Sequence, residues 1–134
     1  MSHQFEEHIG EVRLRLGADS LPRLFEEAAR ALAELMCAER ARPMGESLPV
    51  RVGAPDREAL LVAWIDELLF LSETHKRVWG QPNVEHLTDT ELLATVQGFE
   101  PAALRTQVKA ATMHDLRIRE TGAGGYEATV VLDV

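Results

Sequence analysis

Carboxylates stand where they could do chemistry at both ends of this sequence. Glu7 and Glu11 lie near its start, with His8 between them. Asp133 follows the apolar run Val130-Val131-Leu132, and Val134 comes after it, so a side-chain carboxylate and the oxygens of Val134 fall at the end of a core strand. Oxygen donors of this kind suit hard cations, calcium or magnesium, better than zinc, whose tight sites use Cys and His at recognisable spacings. Glu11, Asp133 and the terminal carboxylate are the candidate ligands. Glu7, His8 and Glu11 could instead form only a solvated edge, since charged residues at strand ends are commonly just exposed.

Other chemistries find little support. The five histidines, His3, His8, His75, His86 and His114, are scattered, and the one cysteine, Cys37, follows the apolar helical residues Leu32, Leu35 and Met36. It reads as a buried small hydrophobe, which argues against Cys–His catalysis. No Gly-x-Ser-x-Gly, His-Glu-x-x-His, Walker loop or Cys-x-x-Cys pair occurs. Gly122-Ala123-Gly124-Gly125 is glycine-rich, but a strand rather than a helix follows it, so it reads as a hairpin loop and not a phosphate cradle.

The elements that would position these residues follow from periodicity. Glu11, Arg13 and Arg15 alternate with Val12, Leu14 and Leu16, the pattern of a half-buried strand. Phe5 to Gly10 reads as a strand end and loop. Asp19 and Ser20 cap a helix with Pro22 in its first turn, running to about Cys37 with Leu24, Phe25, Ala28, Leu32 and Leu35 on one face. Ala38 to Ser47 reads as a loop and Leu48 to Val52 as a short strand. Asp56 caps a second helix to about Leu71, with Trp64 and Phe70 as core anchors. His75 to Trp79 is a short strand and Gly80 to Asn83 a turn. Val84–Leu87 and Glu91–Gly98 form a hairpin, and Pro101 to Arg105 a helical turn. Val108–Met113 is a strand, and Leu116–Glu120 pairs with Tyr126–Val131. The order predicts an α+β domain, residues 1–134, with two helices packed on a mixed, largely antiparallel β-sheet.

Composition narrows the partners. The chain has 134 residues, 22 acidic and 14 basic, for a formal net charge of -8. A surface so acidic is not expected to bind nucleic acid strongly by itself, because phosphate binding is driven by Lys and Arg. A single cysteine rules out an internal disulfide and suits a reducing cytosol. No apolar signal region or run of about 20 apolar residues occurs, so a cytoplasmic location and no membrane partner are expected. Assembly into homo-oligomers is left open.

Five segments carry a family resemblance. Phe5-Glu6-Glu7-His8-Ile9-Gly10-Glu11-Val12 resembles an aromatic residue, Asp-His-Thr-Ala-Asp and a strand; Leu21 to Ala29 resembles Leu-x-x-Leu-Phe-x-x-Ala-Ala. Asp56 with Leu60 to Phe70 is similar to Leu-Leu-Val-x-Trp-Leu-x-Glu-Leu-Leu-Tyr, Lys109 to His114 to Lys-Ala-x-Thr-Tyr-His, and Val130 to Val134 to a hydrophobic-Asp-Val/Ile ending. Together, in order along the chain, they resemble archease, the accessory protein of RtcB-type RNA ligases. The resemblance implies a non-enzymatic activator that promotes ligase guanylylation and multiple turnover in tRNA splicing or RNA repair; the mechanism expected for it, with which the acidic net charge agrees, is an acidic tip entering the ligase's metal-rich nucleotide pocket. It also implies a divalent cation, calcium-like, on Glu11, Asp133 and Val134, with Glu7, His8, Lys109 and His114 about the tip. The chain departs from the pattern at Glu11 in place of Asp, Ile9-Gly10 in place of Thr-Ala, and Met113 in place of Tyr. Two other functions are open to the residues themselves: a small hydrolase using Glu11 and Asp133 as acid and base, and a chaperone-like binding module with exposed apolar patches.

Overall fold

The computed structural model describes residues 1–37, 42–100 and 107–134. Its elements in order are β1 (Ser2–His8), β2 (Glu11–Ala18), α1 (Leu21–Met36), β3 (Arg42–Gly53), α2 (Arg57–His75), β4 (Val78–Leu87), β5 (Glu91–Glu100), β6 (Ala110–Thr112), β7 (Arg119–Glu120) and β8 (Tyr126–Asp133).

Among the described residues the fold is α+β with two helices, and the strands divide into two sheets. One runs β1-β2-β8-β6 with β7 also paired to β8; the other runs β3-β5-β4. Every strand pairing among the described residues is antiparallel, so the sheet expected as mixed is two antiparallel sheets. Val12, Leu14 and Leu16 turn their alternate face inward with Ala128, Val130 and Leu132 of β8, all buried. Helix α1 lies against β2 and β4, and α2 against β6 and β3, so each helix touches both sheets. That is why α2 is apolar on more than one side, burying Leu60, Leu61, Trp64, Ile65, Leu68 and Leu69.

The caps behave as their residue types require. The Ser20 side chain accepts from Arg23 N–H, with Pro22 in the first turn of α1, and Asp56 Oδ1 accepts from Ala59 N–H at 2.8 Å to start α2. The fully buried Trp64 donates its indole N–H to the Phe25 carbonyl at 2.8 Å, bolting α2 to α1.

Several expectations are corrected. Phe5 to His8 belongs to a full strand, β1, rather than a strand end and loop. The loop expected up to Ser47 is already β3 from Arg42; Pro43 and Gly45 (φ 72) are absorbed by an irregularity between Pro43 and Ser47. Helix α2 continues past Leu71 to His75, where Lys76 in the left-handed region ends it. The expected turn at Gly80 to Asn83 is a register shift inside the continuous β4, and the strand expected from His75 begins at Val78. Phe70 is no core anchor: it is 59% exposed, on the solvent side of α2. Cys37 is half-buried as the cap of α1, its burial pushing the thiol pKa up. The helical turn expected at Pro101 to Arg105 lies outside the described residues.

Candidate functional site

Antiparallel pairing builds the site by register alone. Glu11, first residue of β2, stands opposite Asp133, last residue of β8; His8 stands opposite Glu11 on β1, and Ala110 opposite Asp133 on β6. The row His8–Glu11–Asp133–Ala110 crosses the end of the first sheet. Cross-strand partners share a face, and directly opposed side chains have Cβ atoms about 5 Å apart. Two main-chain bonds fix the row: Lys109 N–H donates to the Asp133 carbonyl at 2.8 Å, and Val134 N–H to the Gly10 carbonyl at 3.1 Å. The second reaches into the Ile9-Gly10 turn, where Gly10 has φ 76, a value that glycine adopts without strain. Ile9 at that turn is completely exposed.

Glu11 and Asp133 are like charges placed directly across a ladder, an arrangement that costs stability in the absence of a counter-charge. The nearest cation to Glu11 is Arg13, its Nε 4.0 Å from a Glu11 oxygen. Two carboxylates with the oxygens of Val134 beside them are the donor chemistry of a hard cation. Among the described residues no group of three or more His, Cys, Asp or Glu side chains converges in metal-binding geometry. The row therefore offers two side chains and main-chain oxygen, fewer donors than the six to eight a calcium ion takes.

The other residues implicated from sequence divide between different places. His8 shares the row with Glu11 but hydrogen-bonds to Glu6 Oε1 at 3.0 Å. Glu7 pairs with Val12, one residue out of phase, so strand alternation puts it on the opposite face from Glu11 and the expected three-residue cluster does not form. Lys109 holds the row through its main chain, while its side chain lines a cleft of about 790 Å³ against α2 with Phe70, Glu73 and Lys76. His114 lies away from the carboxylates. Because Ala110 pairs with Asp133 and Thr112 with Val131, the chain is already travelling along β8 when it reaches His114, which pairs with Asp115 at 3.2 Å and lines a different groove.

Sequence reasoning passed over two residues that place this segment. On α2, Asp66 Oδ1 accepts from Ala111 N–H at 2.9 Å and Glu58 Oε2 from Ile118 N–H at 2.9 Å. Helix α2 thus grips the chain on both sides of the 113–117 turn, and Ala110 is held against Asp133 as a result. Their signal was two acids eight residues apart on a helix that also carries Arg57, Glu67 and Glu73, a pattern indistinguishable from solubilising charges.

The match to known proteins covers the same extent. The model of the Archease protein family matches residues 3–134, and the chain belongs to that family. It is 30% identical to a protein archease of Methanosarcina mazei, the alignment covering 98% of this chain and 95% of that one. The solution structure of Methanobacterium thermoautotrophicum protein 1598 has a TM-score of 0.80 at 28% identity, over 98% of both chains. A crystal structure from Thermotoga maritima, described as an archease and possible chaperone, shares the fold at a TM-score of 0.71 and 20% identity, over 100% of this chain and 98% of that one. No helix among the described residues is long and apolar enough to cross a membrane.

Proposed function

We propose that this archease-family chain is a non-enzymatic accessory protein of an RtcB-type RNA ligase, promoting guanylylation and multiple turnover in tRNA splicing or RNA repair. The observation that carries the reading is the register pairing of Glu11 with Asp133 beside Val134 at one end of the sheet. These residues would hold a divalent cation, most suitably calcium, which is tolerant of irregular oxygen donors and of the longer reach of Glu11. Bound there, the cation would supply positive charge at the tip. The chain's own part is to present the carboxylates on a rigid ladder and to keep their spacing through the Lys109 and Val134 main-chain bonds. Because the row provides few donors, the remaining coordination positions are open to water or to groups of the ligase.

Among the described residues, the exposed large hydrophobics are Met1, Ile9, Phe70 and Met113, which lie in separate parts of the sequence. Single exposed apolar residues are normal, and a chaperone surface needs a contiguous patch; the accessory reading therefore stands ahead of the chaperone one. The deciding experiment is a multiple-turnover ligation assay with guanosine triphosphate and a cognate ligase. Wild-type protein should stimulate turnover and Asp133→Asn should not. Full stimulation by the variant would reject the carboxylate tip as the working part.

A further inference from the structure

The outward face of the first sheet carries a second feature, which begins beside the carboxylate row at Arg13 and Val131. A groove of about 420 Å³ runs between β2, β8 and the segment from His114 to Arg119, and four arginines line it: Arg13, Arg15, Arg117 and Arg119. Its acids are Asp115 and Glu127. In a chain whose formal net charge is -8, this is a local inversion of sign.

The arginines are only partly neutralised. Arg15 pairs with Glu6 at 2.7 Å. Arg13 has its Nε buried with no hydrogen-bond partner, the nearest Glu11 oxygen being 4.0 Å away. Arg117 donates to the neighbouring Leu116 carbonyl, and neither Arg117 nor Arg119 has a carboxylate within ion-pair distance among the described residues. Val131 forms part of the floor and is buried apart from the main core. A buried apolar floor lowers the local dielectric and strengthens charge interactions above it.

We infer that this groove binds the phosphodiester backbone of a single nucleic-acid strand. Guanidinium groups present planar donor forks that match phosphate oxygens two at a time. Arg13 and Arg15 are two residues apart on one face of a strand, a repeat of about 6.8 Å, which is comparable with the separation of successive phosphates along an extended strand. The lining contains no Phe, Tyr or Trp, and its one ring, His114, is paired with Asp115 at 3.2 Å. A row of stacking rings and the large aromatic anchors of a protein interface are both missing from it, and contacts to backbone charge dominate. Binding is accordingly sequence-independent and salt-sensitive. The acidity of the surrounding surface confines it to this groove and keeps it weak, which reconciles it with the low affinity expected from net charge.

The test uses the isolated full chain and so does not depend on any ligase. Anisotropy of a fluorescein-labelled single-stranded oligoribonucleotide is followed against protein concentration at several salt concentrations, with unlabelled polyglutamate as a competitor of the same charge sign. Saturable binding that weakens with salt is expected, and the double variant Arg117→Ala/Arg119→Ala should reduce it about tenfold and flatten the salt slope by about 1.4, two phosphate contacts being lost. Arg117 and Arg119 are exposed, so the variant should melt as wild type does; if it does not, Glu127→Gln serves instead, and removal of the acid opposite Arg119 should tighten binding. Absence of binding, unchanged affinity in the arginine variant with an unchanged melt, or no tightening in Glu127→Gln would overturn the assignment. Equal competition by polyglutamate would overturn it in favour of an acidic protein partner.

Discussion

Replacing Asp133 by Asn should have opposite effects with and without a cation. Without one, Glu11 and Asp133 face each other across the β2–β8 ladder as like charges. Such pairs cost about 0.2–1 kcal/mol. Asp133 is exposed and Arg13 stands near Glu11, so the lower half of that range applies, about 0.2–0.5 kcal/mol after solvent screening. With an unfolding entropy of about 2.1 cal/mol/K per residue, a chain of this length shifts its Tm by about 3–4 °C per kcal/mol. The variant should therefore melt about 1–2 °C above wild type in chelator at low salt. With calcium at about 100 times its Kd, wild type gains about 2.7 kcal/mol, close to 10 °C by the same conversion. If the lost carboxylate costs about 100-fold in affinity, the variant at that concentration gains only about 0.4 kcal/mol. The assay is a thermal melt of both proteins in chelator and in calcium, repeated in magnesium. The melting order should invert between the two buffers. A variant that melts below wild type in chelator, or that gains as much from calcium, would refute the placement of the cation on this pair.

Further outcomes follow from other contacts. His3 donates from Nδ1 to Glu27 at 2.7 Å and from Nε2 to Glu34 at 2.5 Å, so its ring must be protonated to serve both. Burial pulls its pKa down, but the hydrogen bonds and charges of the two glutamates outweigh it and leave the pKa raised above 6.5. The contribution is thus fully present below about pH 6.5 and is lost as pH rises through the raised folded value; His3→Gln should flatten melting temperature against pH above 6.5, and an unchanged profile would exclude the clamp. Trp64→Phe removes the bond to the Phe25 carbonyl and part of a fully buried ring; a loss of about 1.5–3 kcal/mol is expected in urea unfolding, and a loss under about 0.5 kcal/mol would mean that the helix–helix bolt is dispensable. Asp66→Ala should speed amide exchange at Ala111 and, through the weakened β6, at Lys109, with Val12 unaffected. Equal protection at Ala111 in the variant would show that the segment holds itself.

Much of the fold was legible because alternation and capping are local. The inward residues of β2, both helix starts at Ser20 and Asp56, and the β4–β5 hairpin across Thr88 to Thr90 follow from residues adjacent in sequence. The division into two sheets was not, because it depends on which distant strands pair, and strand patterns do not record partners. Phe70 misled for a related reason: an aromatic at helical spacing does not reveal which side of a two-faced helix meets solvent. At the site, Glu11 and Asp133 were identifiable as carboxylates at strand ends and, through the family resemblance, as a pair. Their opposition is a matter of register. Register also removed Glu7 and His114 from the row: the first by one residue of alternation, the second by the direction in which β6 runs along β8. The arginine groove was invisible because its four members come from separated segments, two of them in a stretch with little regular structure.

The grip of α2 on the last third of the chain also bears on what the margin of the first sheet presents to other chains. β6 is three residues long and lies at the margin of its sheet. A strand in that position offers unpaired N–H groups to any passing chain, and proteins commonly blunt such margins with charge or cover. Here Asp66 occupies the Ala111 N–H directly and Glu58 the Ile118 N–H. The two carboxylates serve as a fixed substitute for a neighbouring strand, one that cannot be extended further. Removing both would leave a template for intermolecular pairing beside the carboxylate row, and concentrated solutions of the double variant would drift toward strand-linked aggregates.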